Sequence, residues 1–481
     1  MVASQQLALV VIGTANAIRN DKKWGETMNA CSRGNAMKFL NRGLFAAAIP
    51  FLFLAVPAHA QDSSIWVQCP DGTELHPDSD GQPGEPSTST GGIKCKHLSG
   101  GDGMVTMADG KELYIFSFAD IPLPTDPDFT SSGLDYPSYA METGMLAANA
   151  PAPTIVVDED DELFLSLTNV GMTMRPDLFD PHTVHWHGFP NASSVFDGVP
   201  DASIAINMGA TLTYYYHAVD AGTYMYHCHV EATEHMQMGM LGNLFVRPRQ
   251  NRLAAGDDIV AAFATNAANA DNGGLTPPPN LPAGTMIPHV EGTTYAYNDG
   301  DGTTAYDVDY PIQIGSFDPD FHDASFNVQP LPFRDMRDRY FLLNGRGYPD
   351  TVNPADIDTP SPLDGTPHAS QIVSSLIEAT AGQKILLRIS NLNVTQFNTL
   401  GTNGPPMLVV GLDARLLRDD DGNNMYYRTN SLTLGGGQSA DVIIDTAGLG
   451  GRTYFLYSNN LDYLANDAQN LGGMMTEIRI N

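Results

Sequence analysis

The stretch GTYMYHCHVEATEHMQMGM, residues 222–240, places a cysteine between two histidines, His227-Cys228-His229, and follows them with His235 and Met240. Thiolate, imidazole and thioether in this order select copper over magnesium, calcium or manganese, and a long axial methionine tunes such a site for electron transfer. Upstream, HTVHWHG at residues 182–188 adds His182, His185 and His187. Seven of the 13 histidines fall between His182 and His235, which concentrates imidazole in a short part of the chain.

Strand geometry divides these donors into two sets. Residues two apart on a strand share a face, and neighbours point to opposite faces. The Cys228 thiol then faces away from His227 and His229, and His182 has the opposite parity to His185 and His187. One side collects His182, Cys228, His235 and Met240, a complete mononuclear set. The other collects His185, His187, His227 and His229, four imidazoles able to hold further copper. Backbone bonds join Cys228 to a histidine on each side, which makes it a path for electrons between the two sets. Met238 lies close to Met240 as a competing axial donor. Met236 and Met238 read as gap-filling core residues, with a second soft copper contact as the alternative. His217, after Tyr214, Tyr215 and Tyr216, reads as structural.

HTVHWHG joined to GTYMYHCHVEATEHMQMGM resembles the multicopper oxidase family, and the resemblance runs from about residue 105 to the end of the chain. It implies that His182, Cys228, His235 and Met240 are type 1 copper ligands. By the same resemblance His185 faces a type 2 copper, and His187, His227 and His229 face a type 3 pair. Asp197, in FDGVP, and Glu231, just after HCHV, match acidic positions that deliver protons to oxygen in such enzymes. Asp197 before Gly198 reads equally as a turn residue, and Glu231 equally as a solvated loop carboxylate.

From Glu112 the chain turns to short alternating strands separated by Gly and Asp turns, the pattern of a β-sandwich or barrel. The fold class is all-β, with two tandem cupredoxin-like Greek-key units. SSLIEATAGQKILLRISN repeats the plan of APTIVVDEDDELFLSLTN. RTYFLYSNN likewise matches GTYMYHCH, and GGMMTEIRI matches MGMLGNLFV. Such internal repetition points to duplication of one ancestral unit. YFLLNGRGYPD and MLVVGLDARLL also resemble the oxidase family. Residues 105–250 form the copper-binding unit, 251–308 a linker or insertion, and 309–481 a second unit without copper ligands. His289, His322 and His368 are isolated and read as structural or exposed.

Residues 61–104, rich in Gly, Pro and Ser, read as a loop-like extension. Lys38 and Arg42, the apolar run from Leu44 to Val56 and the small-x-small Ala58-His59-Ala60 make residues 37–60 a secretory leader. The apolar run is too short to span a bilayer. Residues 1–36 read as an upstream, misassigned start. With Cys228 given to copper, Cys69 and Cys95 pair as a disulfide in an oxidising compartment, periplasmic or secreted. Residues 1–60 hold six of the 24 bases and two of the 55 acids, so a net charge of −31 becomes near −35 for the remainder. That balance argues against nucleic acid and anionic membranes. It suits solubility in salt or a cationic electron donor.

In the family a complete oxygen-reducing cluster takes four His-x-His pairs from two domains, and this chain supplies two pairs from one. Three readings follow. The first is an oxidoreductase that takes electrons from a small-molecule or protein donor and passes them to oxygen or another small acceptor. The second is a two-copper enzyme resembling nitrite reductase. The third is a blue-copper carrier or copper-binding protein without catalysis. Two-domain relatives close their sites as trimers, so a homotrimer is the expected assembly.

Overall fold

The computed structural model describes residues 67–77, 91–123, 135–266, 268 and 276–481. The leader at 37–60 and the start at 1–36 lie outside the described residues, as do 61–66 and 78–90 of the extension.

The first unit is built from β1 (Ile93–Thr106), β2 (Glu112–Asp120), β3 (Ala152–Asp158), β4 (Glu162–Gly171), β5 (His185–His187), β6 (Thr211–His217), β7 (Gly222–His227) and β8 (Leu241–Arg247). Helix α1 (Tyr136–Gly144) leads toward β3, and helix α2 (Ala232–Gln237) lies between β7 and β8. Val, Ile, Thr and aromatic residues dominate these runs, as suits a pleated, half-buried surface. The strands form two sheets, in the orders β2-β1-β4-β6 and β3-β8-β7-β5. β1 runs parallel to β4 and β3 parallel to β8, while the remaining neighbours are antiparallel. Phe118, Leu165, Trp186, Tyr226, Leu244 and Cys228 belong to one buried cluster of this unit. Trp186 is buried while its neighbours His185 and His187 are half-buried, as alternation along β5 requires.

The extension expected at 61–104 ends earlier than its composition suggests. Residues 93–106 are a 14-residue strand in the first sheet. The run Ser99-Gly100-Gly101-Asp102-Gly103 looks like a loop, yet its glycines serve close packing. A Cβ at Gly100 would lie 2.9 Å from the His182 ring, and one at Gly101 2.7 Å from Val170. Asp102 is buried and accepts from Tyr114 Oη (3.0 Å), Thr173 N (3.0 Å) and Met174 N (2.8 Å). Cys69 and Cys95 form a disulfide that ties the preceding segment to β1. Cys228 is the free cysteine among the described residues.

The second unit repeats the plan. Val308–Phe317 pairs antiparallel with Tyr340–Leu343 and parallel with Lys384–Asn391, which pairs in turn with Gln438–Asp445. The facing sheet holds Ile377–Ala379, Met475–Ile480, Arg452–Ser458 and Asn398–Thr402, in that order. Both orders reproduce those of the first unit, so the two cupredoxin-like sandwiches share one topology. Residues 251–308, expected as a linker, are partly built into the second unit. Ala296, Tyr297 and Tyr306 are buried in one cluster with Leu386, Val410 and Ile443. Tyr297 Oη donates to Asp441 Oδ2 at 2.5 Å.

The units meet on the outer face of the β3-β8-β7-β5 sheet. Thr223 Oγ1 donates to Asp441 Oδ1 (2.6 Å), Ser439 Oγ donates to the Thr223 carbonyl (2.7 Å), and the Arg388 guanidinium lies 5.2 Å from the centre of the Phe245 ring. Leu392 packs with Met225 and Leu241. This is the face on which β5 and β7 carry His185, His187 and His227. No helix among the described residues is long and apolar enough to cross a membrane.

Candidate metal centres

Donor atoms of His182, Cys228 and His235 lie within 4.8 Å of one another, and all three residues are buried. Cys228 follows β7 directly, His182 is fixed by a two-way bridge to Ile206, and His235 sits in α2. The Nδ1 atoms of both histidines face the sulfur, at 3.2 Å for His235 and 4.0 Å for His182. The Thr183 amide donates toward the same sulfur at 3.5 Å. Met240 is fully buried in the same core, and its carbonyl accepts from the Cys228 amide at 3.1 Å. Met238 is equally buried, and its carbonyl accepts from Phe116 N.

Burial governs the protonation of this set. It pushes the Cys228 thiol up to about 11 and holds His235 down to about 4 and His182 well below its ordinary value. Without a compensating cation the site is therefore a thiol with two neutral imidazoles. A bound metal ion reverses that preference by holding the thiolate, with release of the proton. The Nε2 atoms of His182 and His235 have no hydrogen-bond partner. A thiolate between two neutral imidazoles, with thioethers close by in the core, fits copper.

The second cluster lies on the other side of Cys228. Donor atoms of His185, His187 and His227 come within 4.8 Å of one another. The His229 ring centre is 5.3 Å from that of His185 and 5.5 Å from that of His227. His185 Nδ1 lies 2.6 Å from the Asp197 carbonyl oxygen and His227 Nδ1 2.8 Å from that of Cys228, so both rings keep Nε2 for another partner. Burial first, and then the neighbouring imidazoles, hold His227 down to about 3. Burial and His185 lower His187 as well, against a hydrogen bond to the Gly437 backbone. His187 Nδ1 is buried without a partner. Four imidazoles, two of them kept neutral by burial, are a donor set suited to a transition metal.

Asp197 reaches this cluster through its side chain as well, with Oδ1 3.4 Å from His185 Nδ1. It is also the turn residue before Gly198, whose φ of +75° leaves no room for a side chain against the Val184 carbonyl. Asp197 thus stands both beside His185 and in the turn. Glu231 is exposed. It adopts a left-handed backbone, φ 45° and ψ 48°, to start α2. It then lines a cleft of about 220 Å³ with Arg175, Asp180, Glu234 and, from the second unit, Ser325 and Gln329. That cleft adjoins the other centre, because Asp180 Oδ2 lies 4.0 Å from His235 Nε2. A residue two places beyond His229 is carried to the Cys228 side because the chain reverses into α2.

His322, His289, His368 and His217 lie outside both clusters. The His322 ring nitrogens lie 2.6 Å from the Tyr114 carbonyl oxygen and 3.1 Å from that of Gln237. His289 lies 3.4 Å from the Tyr295 hydroxyl, and His368 sits in the short strand Pro367–Gln371. His217 ends β6. Sequence reasoning missed Asp180, although it stands two residues before His182. It also missed Gly437, at which a Cβ would lie 2.8 Å from His187 Nε2. The triplet Gly435-Gly436-Gly437 was the available signal for such a close approach.

Residues 136–251 match the family model described as multicopper oxidase. A multicopper oxidase of Talaromyces pinophilus is 34% identical over 115 residues, covering 23% of this chain and 18% of the relative. A laccase of Emericella nidulans is 35% identical over 105 residues, covering 21% of this chain and 16% of the relative. The chain thus matches less than a fifth of either curated relative. Among solved structures, the blue copper oxidase of Nitrosomonas europaea superimposes with a TM-score of 0.52 at 20% identity, over 81% of this chain and 86% of that one. A second multicopper oxidase structure gives 0.52 at 18% identity over the same shares of the two chains. These two likenesses bear on the fold.

Proposed function

We propose that this chain, which belongs to the multicopper oxidase family through residues 136–251, is an exported copper oxidoreductase with its electron entry and its acceptor site on opposite sides of Cys228. His182, Cys228, His235 and Met240 hold one copper in this reading, and His185, His187, His227 and His229 hold the rest. Bound copper would supply one-electron redox chemistry, taken in at the first set and delivered at the second to oxygen or another small acceptor. The observation that carries the reading is the position of Cys228. Its sulfur lies with His182 and His235, while its bonded neighbours His227 and His229 lie with His185. A covalent path of a few atoms therefore joins the two sets.

The chain's own groups do the rest. Asp180, Glu231 and Glu234 line the cleft beside His235 and favour a cationic donor, small molecule or protein, at the entry side. Asp197, against His185, holds and passes protons at the acceptor side. Glu231 has no part in that proton path, since it lines the other cleft. The Cys69–Cys95 disulfide supports export to an oxidising compartment, periplasmic or extracellular. Gly437 of the same chain covers His187, and His185 and His229 stay half-buried. In a homotrimer a neighbouring copy would close over those two.

A second reading has the inner histidines holding a single copper, as in a reductase-like two-copper enzyme. It is favoured by Gly437, because at His187 the second unit offers a backbone in place of an imidazole pair. Replacing His185 and His229 together with alanine tests the proposal. Copper per chain should fall and oxidation of an artificial reductant under oxygen should stop, while the visible band of the Cys228 site persists. Wild-type copper content and turnover in that variant would reduce the protein to a single-copper carrier.

A further inference from the structure

The residues between His235 and Met240 are held from two sides. On the first unit, β2 takes the carbonyls: Phe116 N donates to Met238 O at 3.1 Å and Ser117 Oγ donates to Gly239 O at 2.8 Å. On the second unit, the contacts converge on Gln237, which is 1% exposed. Its Nε2 donates to Asp338 Oδ1 at 2.8 Å, across 101 residues of sequence. The other carboxylate oxygen of Asp338 accepts from the Ser316 and Thr395 hydroxyls, so the acceptor is itself fixed. The His322 ring, from the helix Pro319–Phe326, sits between the Gln237 and Tyr114 carbonyls.

We infer that the second unit, which brings no ligand of its own to the Cys228 site, sets that site's geometry by gripping Gln237. Gln237 and Asp338 are positioning residues. A hydrogen bond to a buried carboxylate is among the stronger ones. Gln237 lies two residues after one proposed ligand and three before the other, so its displacement moves both. Partners beyond the ligands commonly decide how rigidly a metal site is held. A second unit without that cysteine and those histidines thereby has a role in the chemistry of the first. The inference rests on reading the Cys228 set as a copper site.

The test uses the full copper-loaded chain and compares Gln237→Leu, Asp338→Ala, Asp338→Asn and the double Gln237→Leu/Asp338→Ala. Leu400→Ala serves as control, because it cuts into the second unit's own core. The readouts are the energy of the thiolate-to-copper band, the copper hyperfine splitting in electron paramagnetic resonance and copper retention against a chelator. Gln237→Leu and Asp338→Ala should each shift band and splitting and weaken retention about 10-fold. The double variant should add little to either single one, since both remove the same contact. Asp338→Asn, which keeps an acceptor oxygen, should restore most of the native spectrum. Leu400→Ala should lower thermal stability and leave the spectrum alone. If Asp338→Ala fails to fold, Gln237→Leu decides. An unmoved spectrum and retention in Gln237→Leu, or an equal shift in Leu400→Ala, overturns the inference while the wild-type band stands. A wild type without that band overturns the copper reading and this inference with it.

Discussion

In the first unit His185 pairs across the sheet with His227, and at the matching register of the second unit Gly401 pairs with Tyr457. Cys228 N donates to Met240 O at 3.1 Å, and Ser458 N donates to Met474 O at 2.9 Å. Three residues before His185 stands His182, and three before Gly401 stands Asn398, both fully buried. The backbone frame of the centre is thus present twice, and so is the methionine, Met240 and Met474, while the thiol and the imidazoles are present once. A Cβ at Gly401 would fall 2.2 Å from Asn459 Oδ1, so the asparagine occupies the space that the His185 and His229 rings share in the first unit. The fold supplies the frame, and a handful of side chains decides whether it holds metal.

Making the first unit like the second should have the largest effect. Cys228→Ser copies Ser458 and should abolish the visible charge-transfer band of the copper-loaded protein. The reverse change, Ser458→Cys, should create no such band, because Asn398 stands where an imidazole is needed. A band in the second variant, read by absorption after copper loading, would mean that the frame alone suffices.

Gly437→Ala attacks the place where the second unit touches the first unit's inner histidines. The added methyl would sit 2.8 Å from His187 Nε2 at a backbone φ of +86°, so the ring must move. Copper attributed to the inner set should fall, with the Cys228 band intact. Equal loss from both sets would show that the two do not behave as separate centres.

A smaller effect separates the sheets of the first unit. His97 is buried in β1 between the Tyr136 and Thr168 hydroxyls, and burial lowers its pKa to about 4. The unfolded chain protonates near its ordinary 6.5. The neutral form therefore stabilises the fold fully above that pH, and the contribution drains away as pH falls toward 4. It amounts to about 3 kcal/mol. His97→Gln should flatten the fall in unfolding free energy between pH 6.5 and 4, and an unchanged slope would contradict the assignment. Smallest of all, Glu231→Gln should leave the copper bound by the inner histidines unchanged, because Glu231 lies on the entry side.

Much of this was legible in the order of residues. The parity of His185, Trp186 and His187 on β5 and the Cys228 triplet after β7 follow from strand alternation, and the repeat of PTIVVD in SSLIEA gave the second unit. What alternation could not convey was where the chain turns. Glu231 is itself left-handed and starts α2, and it lines the cleft with Asp180 and Glu234. The glycines of β1 mimic a loop in composition and serve as contact points for His182 and Val170. Gly437 lies 250 residues from His187 and Asp338 lies 101 residues from Gln237, distances over which no local pattern reports.

The central claim is that the chain holds copper on both sides of Cys228. Metal analysis combined with electron paramagnetic resonance on the purified, fully copper-loaded protein tests it most directly. The account predicts more than one copper per chain and, beside the signal of the thiolate site, a contribution that disappears when His185 and His229 are replaced. One copper per chain, with the thiolate signal alone and unchanged in that double variant, would contradict it.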